Sequence, residues 1–240
     1  KMTLTELKDA AISASKKAGD YLNSQKSSKK VILSEIGRDI KLEIDQNTEN
    51  LIRKELQYTG IDILGEEFGG NSSDGLKWVI DPLDGTANYF KGLDQCCVSI
   101  ALLDGSDALI GIIYNFNTDE IYSAVKNQGA FLNNAPISVS KINKRNKASL
   151  TTGFPASESL ESSMEFLEGL KGWKKIRMFG SAALSCAYVA SGKCDFYAET
   201  GVYLWDFAAG ICLIEEAGGR AEYQSLDNER YSVKISNNLL

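Results

Sequence analysis

Residues 78–89 read Trp78-Val79-Ile80-Asp81-Pro82-Leu83-Asp84-Gly85-Thr86-Ala87-Asn88-Tyr89. An apolar run predicts a strand that delivers Asp81, after which Pro82 stiffens the chain and Gly85 frees it for a close approach. Asp81 and Asp84 can then face one pocket across that turn, and two carboxylates so placed can hold two metal ions a few ångströms apart. The N–H groups of Gly85 and Thr86, if they open a short helix, would point at a phosphate. The Thr86 hydroxyl can orient a water. Taken alone, Asp81 to Thr86 fits equally a plain Asp-Gly turn with Asp84 as a helix cap.

The surrounding sequence adds further acidic residues at the ends of apolar runs. Ile40, Leu42 and Ile44 alternate with Asp39, Lys41 and Glu43, which predicts a half-buried strand ending at Asp45. Ile61 to Leu64 predicts a strand running into Gly65-Glu66-Glu67, where the two acids, taken singly, fit a solvated loop. Leu204-Trp205-Asp206-Phe207 opens a helix, and Asp206 alone fits an ordinary N-terminal carboxylate. Gly180-Ser181-Ala182, ahead of another helix, fits either an anion site or a tight turn. The signal is the joint occurrence. Strand ends are where α/β folds gather ligand groups, and carboxylates brought together repel unless cations sit between them. The cation this implies is hard and oxygen-loving: Mg²⁺ first, Mn²⁺ as the alternative, with Ca²⁺ less suited.

Composition narrows the chemistry. The chain has 240 residues, 43% hydrophobic and 24% charged, with a net charge of −6. A chain of this length buries roughly 70% of the surface its unfolded form exposes, so it holds a fixed site without staples. The acidic balance disfavours direct binding to nucleic acid or an anionic membrane. There is no histidine, which removes the commonest general base and zinc ligand. Any hydrolytic chemistry would then run on carboxylates, hydroxyls, lysine, cysteine or a carboxylate-bound metal. Cys96, Cys97, Cys186, Cys194 and Cys212 lie mostly in apolar runs and form no Cys-x-x-Cys pair, so they read as reduced core residues. No apolar run approaches a membrane span and none reads as a secretion signal, so the expected compartment is the cytoplasm.

Periodicity predicts a helix capped by Thr5, with Leu7, Ala11, Ala14, Ala18 and Leu22 along one face. A second helix is expected from Gln46 to Gln57. Strands follow at 96–103, 108–114, 121–125 and 130–132, with Asn133-Asn134 as a hairpin turn. The lysine-rich stretch Lys141 to Lys147 marks a boundary between an N-terminal α+β domain (1–140), with an antiparallel sheet and most ligands, and a C-terminal α/β domain (141–240). In the second half, helices are expected near Glu158 to Leu170, Ser181 to Ala190 and Leu204 to Ala217, the last stopped by Gly218-Gly219. Strands are expected at 149–152, 175–178 and 194–198.

Three motifs in this order make the sequence resemble the inositol monophosphatases. They are Gly65-Glu66-Glu67, then Trp78 to Tyr89, then Trp205-Asp206 followed by Glu216-Ala217-Gly218-Gly219. Gly129 to Asn134 is similar to the hairpin of the same family. The family belongs to the lithium-sensitive, Mg²⁺-dependent phosphatases, which include fructose-1,6-bisphosphatases and 3′-phosphoadenosine phosphatases. The resemblance covers nearly the whole chain. It implies an α+β/α/β fold, a layered αβαβα sandwich, with two or three Mg²⁺ ions and sensitivity to lithium.

Residue by residue, the resemblance implies that Glu66 binds the first metal and helps activate water, while Asp81 bridges two metals. The Leu83 carbonyl binds the first metal, and Asp84 and Asp206 hold the second. Thr86, paired with Asp45, positions the water. Gly85 and Thr86 hold the phosphate through their backbone. Gly180, Ser181, Ala182 and Glu199 contact the alcohol, which Asp84 and Asp206 also touch. Three positions depart from the pattern: Leu42 for a threonine, Ser34 for a lysine, and Ser181 for a common threonine. The substrate expected is inositol monophosphate or a similar sugar or polyol phosphate, with the fructose-1,6-bisphosphatase and 3′-phosphoadenosine phosphatase activities as alternatives. The family also implies a homodimer. Bacterial members of the extragenic-suppressor type associate with transcription machinery, so a regulatory role through protein partners is the alternative from another class.

Overall fold

The structure is a computed structural model that describes residues 2–37, 39–70, 74–155 and 159–240. Helix α1 (Leu4–Ser24) starts earlier than the sequence predicts, because Thr3 rather than Thr5 caps it. The Thr3 hydroxyl accepts the Glu6 N–H, and the Glu6 carboxylate accepts the Thr3 N–H at 2.7 Å, a reciprocal cap. The predicted apolar face is the buried one: Leu7, Ala11, Ala14, Ala18 and Leu22. A hairpin of β1 (Ile32–Ile36) and β2 (Asp39–Leu42) follows, then α2 (Glu43–Leu56).

The first sheet has seven strands in the order of the chain: β3 (Asp62–Gly65), β4 (Leu76–Asp84), β5 (Cys97–Asp104), β6 (Asp107–Asn115), β7 (Glu120–Val125), β8 (Ala130–Leu132) and β9 (Ala135–Ile137). Only β3 and β4 pair in parallel; the rest is an antiparallel meander. A short helix, α3 (Thr86–Lys91), joins β4 to β5. Asn133 and Asn134, both at positive φ, make the tight turn between β8 and β9.

The second sheet, in the order β11-β10-β12-β14-β13, holds β10 (Ser149–Thr152), β11 (Lys175–Arg177), β12 (Phe196–Tyr203), β13 (Arg220–Ser225) and β14 (Arg230–Ser236). Its helices are α4 (Leu160–Gly169), α5 (Ala182–Ala190) and α6 (Leu204–Glu216). The expected start of α4 at Glu158 lies outside the described residues; Ser159 caps the helix. Strand β12 outruns its prediction and carries Glu199. The pair β13 and β14 escaped the sequence reading, although Tyr231, Val233 and Ile235 alternate and Asn228-Glu229 takes positive φ between the strands.

Layering follows from burial. Val98, Ile100 and Leu102 of β5 pack under α1 and α2. Cys97, Ala101 and Leu103 of the same strand point the other way, into a core shared with α5, α6 and residues Tyr197, Val233 and Ile235 of the second sheet. Strands β10 and β11, and β10 and β12, are parallel. The chain steps from β10 to β11 in one direction and returns past β10 to β12. Right-handed crossovers in opposite directions place their helices on opposite faces, so α4 covers the outside while α5 lies within. The result is the expected αβαβα sandwich.

Candidate metal centre

Asp81 and Asp84 stand three positions apart, a spacing that in a regular strand would turn them to opposite faces. Opposite them on β5, however, stand Ser99 and Cys97, and the register shifts between the two pairs. That shift is a bulge, one extra residue on β4, and it returns both aspartates to the same side. Pro82 sits inside it, where a missing N–H does not interrupt the ladder. The predicted turn is thus the bulged end of a strand. It faces the inner helices, because Val79, two residues before Asp81, belongs to that core.

Register also explains Glu66. Gly65 of β3 lies beside Ile80 of β4 in a parallel pair, and the Glu66 N–H continues the ladder to the Ile80 carbonyl at 3.3 Å. The next residues on the two strands are Glu66 and Asp81, so their carboxyl groups come close enough to act on each other. Asp206 comes from across the interior. It lies in the first turn of α6, where its Oδ2 accepts the Tyr203 N–H at 2.7 Å. Oxygens of Asp81, Asp84 and Asp206 lie within 4.8 Å of one another. Asp84 is fixed by α5, accepting from the Ser181 hydroxyl and from the Ala183 N–H at 2.8 Å.

Asp45 does not end a strand. It lies in the first turn of α2, with its Oδ2 accepting the Leu42 N–H at 2.7 Å, so the helix takes over where the alternation of Ile40, Leu42 and Ile44 predicted a strand. This places the other Asp45 oxygen 3.5 Å from the Thr86 hydroxyl, which also reaches the Leu83 carbonyl at 3.0 Å. Gly85 joins β4 to α3 at φ +86°, and a Cβ there would lie 2.6 Å from the Gln95 carbonyl. Only glycine fits that corner. Glu66 and Glu67 are no solvated loop: the Glu67 side chain is 2% exposed.

The residues expected to meet the alcohol ring the same space. Ser181 caps α5 and binds Asp84, Ala182 begins the helix, and Gly180 at φ +71° packs against the Asn88 amide. Asn88 itself donates to the Gln95 and Phe179 carbonyls at 2.7 Å, tying α3 to the entrance of α5. Glu199 accepts the buried Tyr197 hydroxyl at 2.7 Å and adds its charge to the field at Asp84 and Asp206. Of the three departures, Leu42 is fully buried and Ser34 lies half-buried on β1. Sequence reading missed Tyr197, Asn88 and the Glu49–Arg53 pair described below. Glu49 left one trace, its i,i+4 spacing from Asp45 on a helix.

Burial, then the neighbouring Glu66, Asp84 and Asp206, holds Asp81 far above the ordinary carboxylate range. Burial and the charges of Asp84 and Glu66 do the same to Asp206. Burial raises Glu66 to about 7 and Asp45 to about 8. Asp84 reaches only about 6, because burial is opposed by its bonds from Ser181 and Ala183. Burial and mutual repulsion thus favour the protonated forms of Glu66 and Asp81. The donors are all oxygen, so the cluster can hold a hard divalent ion. All five cysteines are buried and unpaired. No helix among the described residues is long and apolar enough to cross a membrane.

Comparison with known proteins agrees with this geometry. The model of the inositol monophosphatase family matches residues 3–232. The chain is 40% identical over 186 residues to the Nus factor SuhB of Xylella fastidiosa, covering 75% of this chain and 68% of that protein. It is 35% identical over 228 residues to the inositol monophosphatase of Mesembryanthemum crystallinum, covering 90% and 84%. Among solved structures, the extragenic suppressor protein suhB of Bartonella henselae matches with a TM-score of 0.89 at 28% identity, covering 98% of this chain and 95% of that one. Fold, motif order and sequence agree over nearly the whole length: the chain belongs to the inositol monophosphatase family.

Proposed function

We propose that this chain is a Mg²⁺-dependent phosphomonoesterase that hydrolyses inositol monophosphate or a related sugar or polyol phosphate. The observation that carries this reading is the convergence of Asp81, Asp84 and Asp206 on one buried point, with Glu66 against Asp81. Asp81, Asp84, Asp206, Glu66 and the Leu83 carbonyl would hold the ions. When bound, the cations neutralise the phosphate, acidify a water and take up charge on the leaving oxygen.

The chain's own groups do the rest. The Thr86 hydroxyl donates its hydrogen bond to the Leu83 carbonyl or to Asp45, which leaves its oxygen free to accept one from the attacking water. Glu66 also takes part in holding that water, and together the two groups aim it in line with the ester bond. The backbone N–H groups of Gly85 and Thr86 seat the phosphate. Glu199, oriented by Tyr197, accepts from hydroxyls of the alcohol beside Gly180, Ser181 and Ala182. No histidine acid is required.

Phosphate release tests the reading on three substrates: inositol monophosphate, fructose 1,6-bisphosphate and 3′-phosphoadenosine phosphate. Inositol monophosphate should turn over fastest and chelation should abolish turnover. Asp206→Asn should lower kcat/KM by at least about 100-fold, equivalent to about 2.7 kcal/mol. No turnover on any of the three with Mg²⁺ or Mn²⁺ sinks the proposal.

The raised carboxyl groups set the pH dependence. Each binds its proton more tightly in the folded, metal-free protein than in the unfolded chain, where the values return to 3.8 for aspartate and 4.5 for glutamate. Stability of the metal-free protein should fall as pH rises from that range through about 6, 7 and 8, the folded values of Asp84, Glu66 and Asp45. Cation binding needs the charged forms, so affinity should rise over the same window with release of protons. Calorimetry at pH 6.5 in buffers of different ionisation enthalpy reads this directly. Binding without proton release contradicts it.

The likeness to proteins named Nus factor SuhB supports a second reading, a regulatory partner of the transcription machinery. Asp84→Asn separates the two, since it should remove turnover while leaving the surface intact. A regulatory phenotype and pull-down that survive this variant favour the partner role; their loss along with turnover favours the enzyme.

A further inference from the structure

The loop that carries Glu66 is anchored to a buried carboxylate outside the set of groups so far assigned. Glu49 lies one turn beyond Asp45 on α2 and is fully buried. Its Oε2 accepts the Glu67 N–H at 2.7 Å, and its Oε1 accepts the Phe68 N–H at 3.2 Å. Arg53, a turn further along the helix, donates to Glu49 Oε1 at 2.8 Å and to the Gly69 carbonyl at 2.6 Å. Gly65 and Gly69 close the loop with mutual N–H to carbonyl bonds of 3.0 and 2.9 Å. A Cβ on Gly65 would lie 2.2 Å from the Glu49 carboxylate. Residues 66–69 are held at both ends and along the back, and Glu66 leaves them toward Asp81.

We propose that Glu49, locked by Arg53, is a positioning residue that sets the reach of Glu66 into the cation site. The proposal rests on the reading of the centre as a cation site given above. Its physical ground is the kind of bond involved. Two backbone N–H groups donating to a buried carboxylate are charge-assisted bonds, stronger than their neutral counterparts and directional. A buried ion pair contributes little net stability compared with apolar residues of the same volume, so stability alone does not account for this one. A ligand on a loop must be held to about half an ångström to serve a small cation, and the groups behind such ligands typically control affinity by about 10- to 100-fold. Asp45 and Glu49 thus give α2 two tasks on one face: Asp45 steers Thr86, and Glu49 steers Glu66.

The test compares wild type, Glu49→Gln and Arg53→Lys. The Glu49→Gln change keeps the shape but loses the charge and one acceptor. The Arg53→Lys change keeps the charge but loses the fork that spans Glu49 and Gly69. Mn²⁺ binding, read by electron paramagnetic resonance without substrate, should weaken by about 10- to 100-fold in Glu49→Gln and less in Arg53→Lys. Hydrogen exchange of the metal-free proteins should speed up at the amides of Glu67 and Phe68 and stay unchanged in β5 and β6. In turnover, the half-saturating Mg²⁺ concentration should rise while kcat at saturating Mg²⁺ stays within a few-fold. Wild-type Mn²⁺ affinity in both variants, or a fall in kcat with no change in the Mg²⁺ requirement, overturns the positioning role and leaves the phosphatase reading standing. Should Glu49→Gln fail to fold, Arg53→Lys decides by the same criteria. A wild-type protein that binds no Mn²⁺ removes the cation site and this inference with it.

Discussion

Carboxyl groups gathered away from bulk water cannot all carry charge unless positive charge sits among them. In this chain the fold forces that situation. A bulge turns Asp81 and Asp84 to one side of a strand, a parallel register brings Glu66 beside Asp81, and the first turn of α6 supplies Asp206 from across the core. The elements that meet there are held by their own hydrogen bonds, as Asp206 to Tyr203 and Asp84 to Ser181 and Ala183 illustrate. Burial and mutual repulsion raise the pKa of Glu66, Asp81 and Asp206, and a cation bound among them would relieve that repulsion.

Around this centre the labour is divided between layers. The outer helix α2 stands behind this edge of the centre, with Asp45 facing Thr86 and Glu49 behind the Glu66 loop. The inner helices α5 and α6 present their N-terminal turns, whose dipoles favour negative charge at Asp84 and Asp206. The second sheet contributes Glu199 from β12, where the chain direction between crossovers reverses. That is the place where open α/β sheets form a ligand crevice.

Much of this was legible in the sequence. The apolar periodicity of α1 mapped directly onto burial, and the strand ranges read for β7 and β8 matched those observed. The site motifs were legible as a set, because Glu66, Asp81, Asp84 and Asp206 occur in a specific order. What was hidden has physical reasons. Pro82 suggested a turn, whereas the strand continues through it at a bulge that only the partner strand reveals. Ile44 extended an apparent strand, but the Asp45 carboxylate had already capped a helix. Glu66-Glu67 looked solvated because its cover, Glu49 and Arg53, is a charged pair on a helix that pattern alone assigns to the surface. Strands β13 and β14 are mostly exposed on β13's side, so their alternation lacked the apolar run that marks a strand.

The central claim is that this carboxylate cluster is a cation site organised by Asp81. Anomalous diffraction from Mn²⁺-loaded crystals tests it most directly. The account predicts Mn²⁺ bound among Asp81, Asp84 and Asp206, with Glu66 beside it. A crystal with no ion among these residues at saturating Mn²⁺ and pH 8 contradicts it.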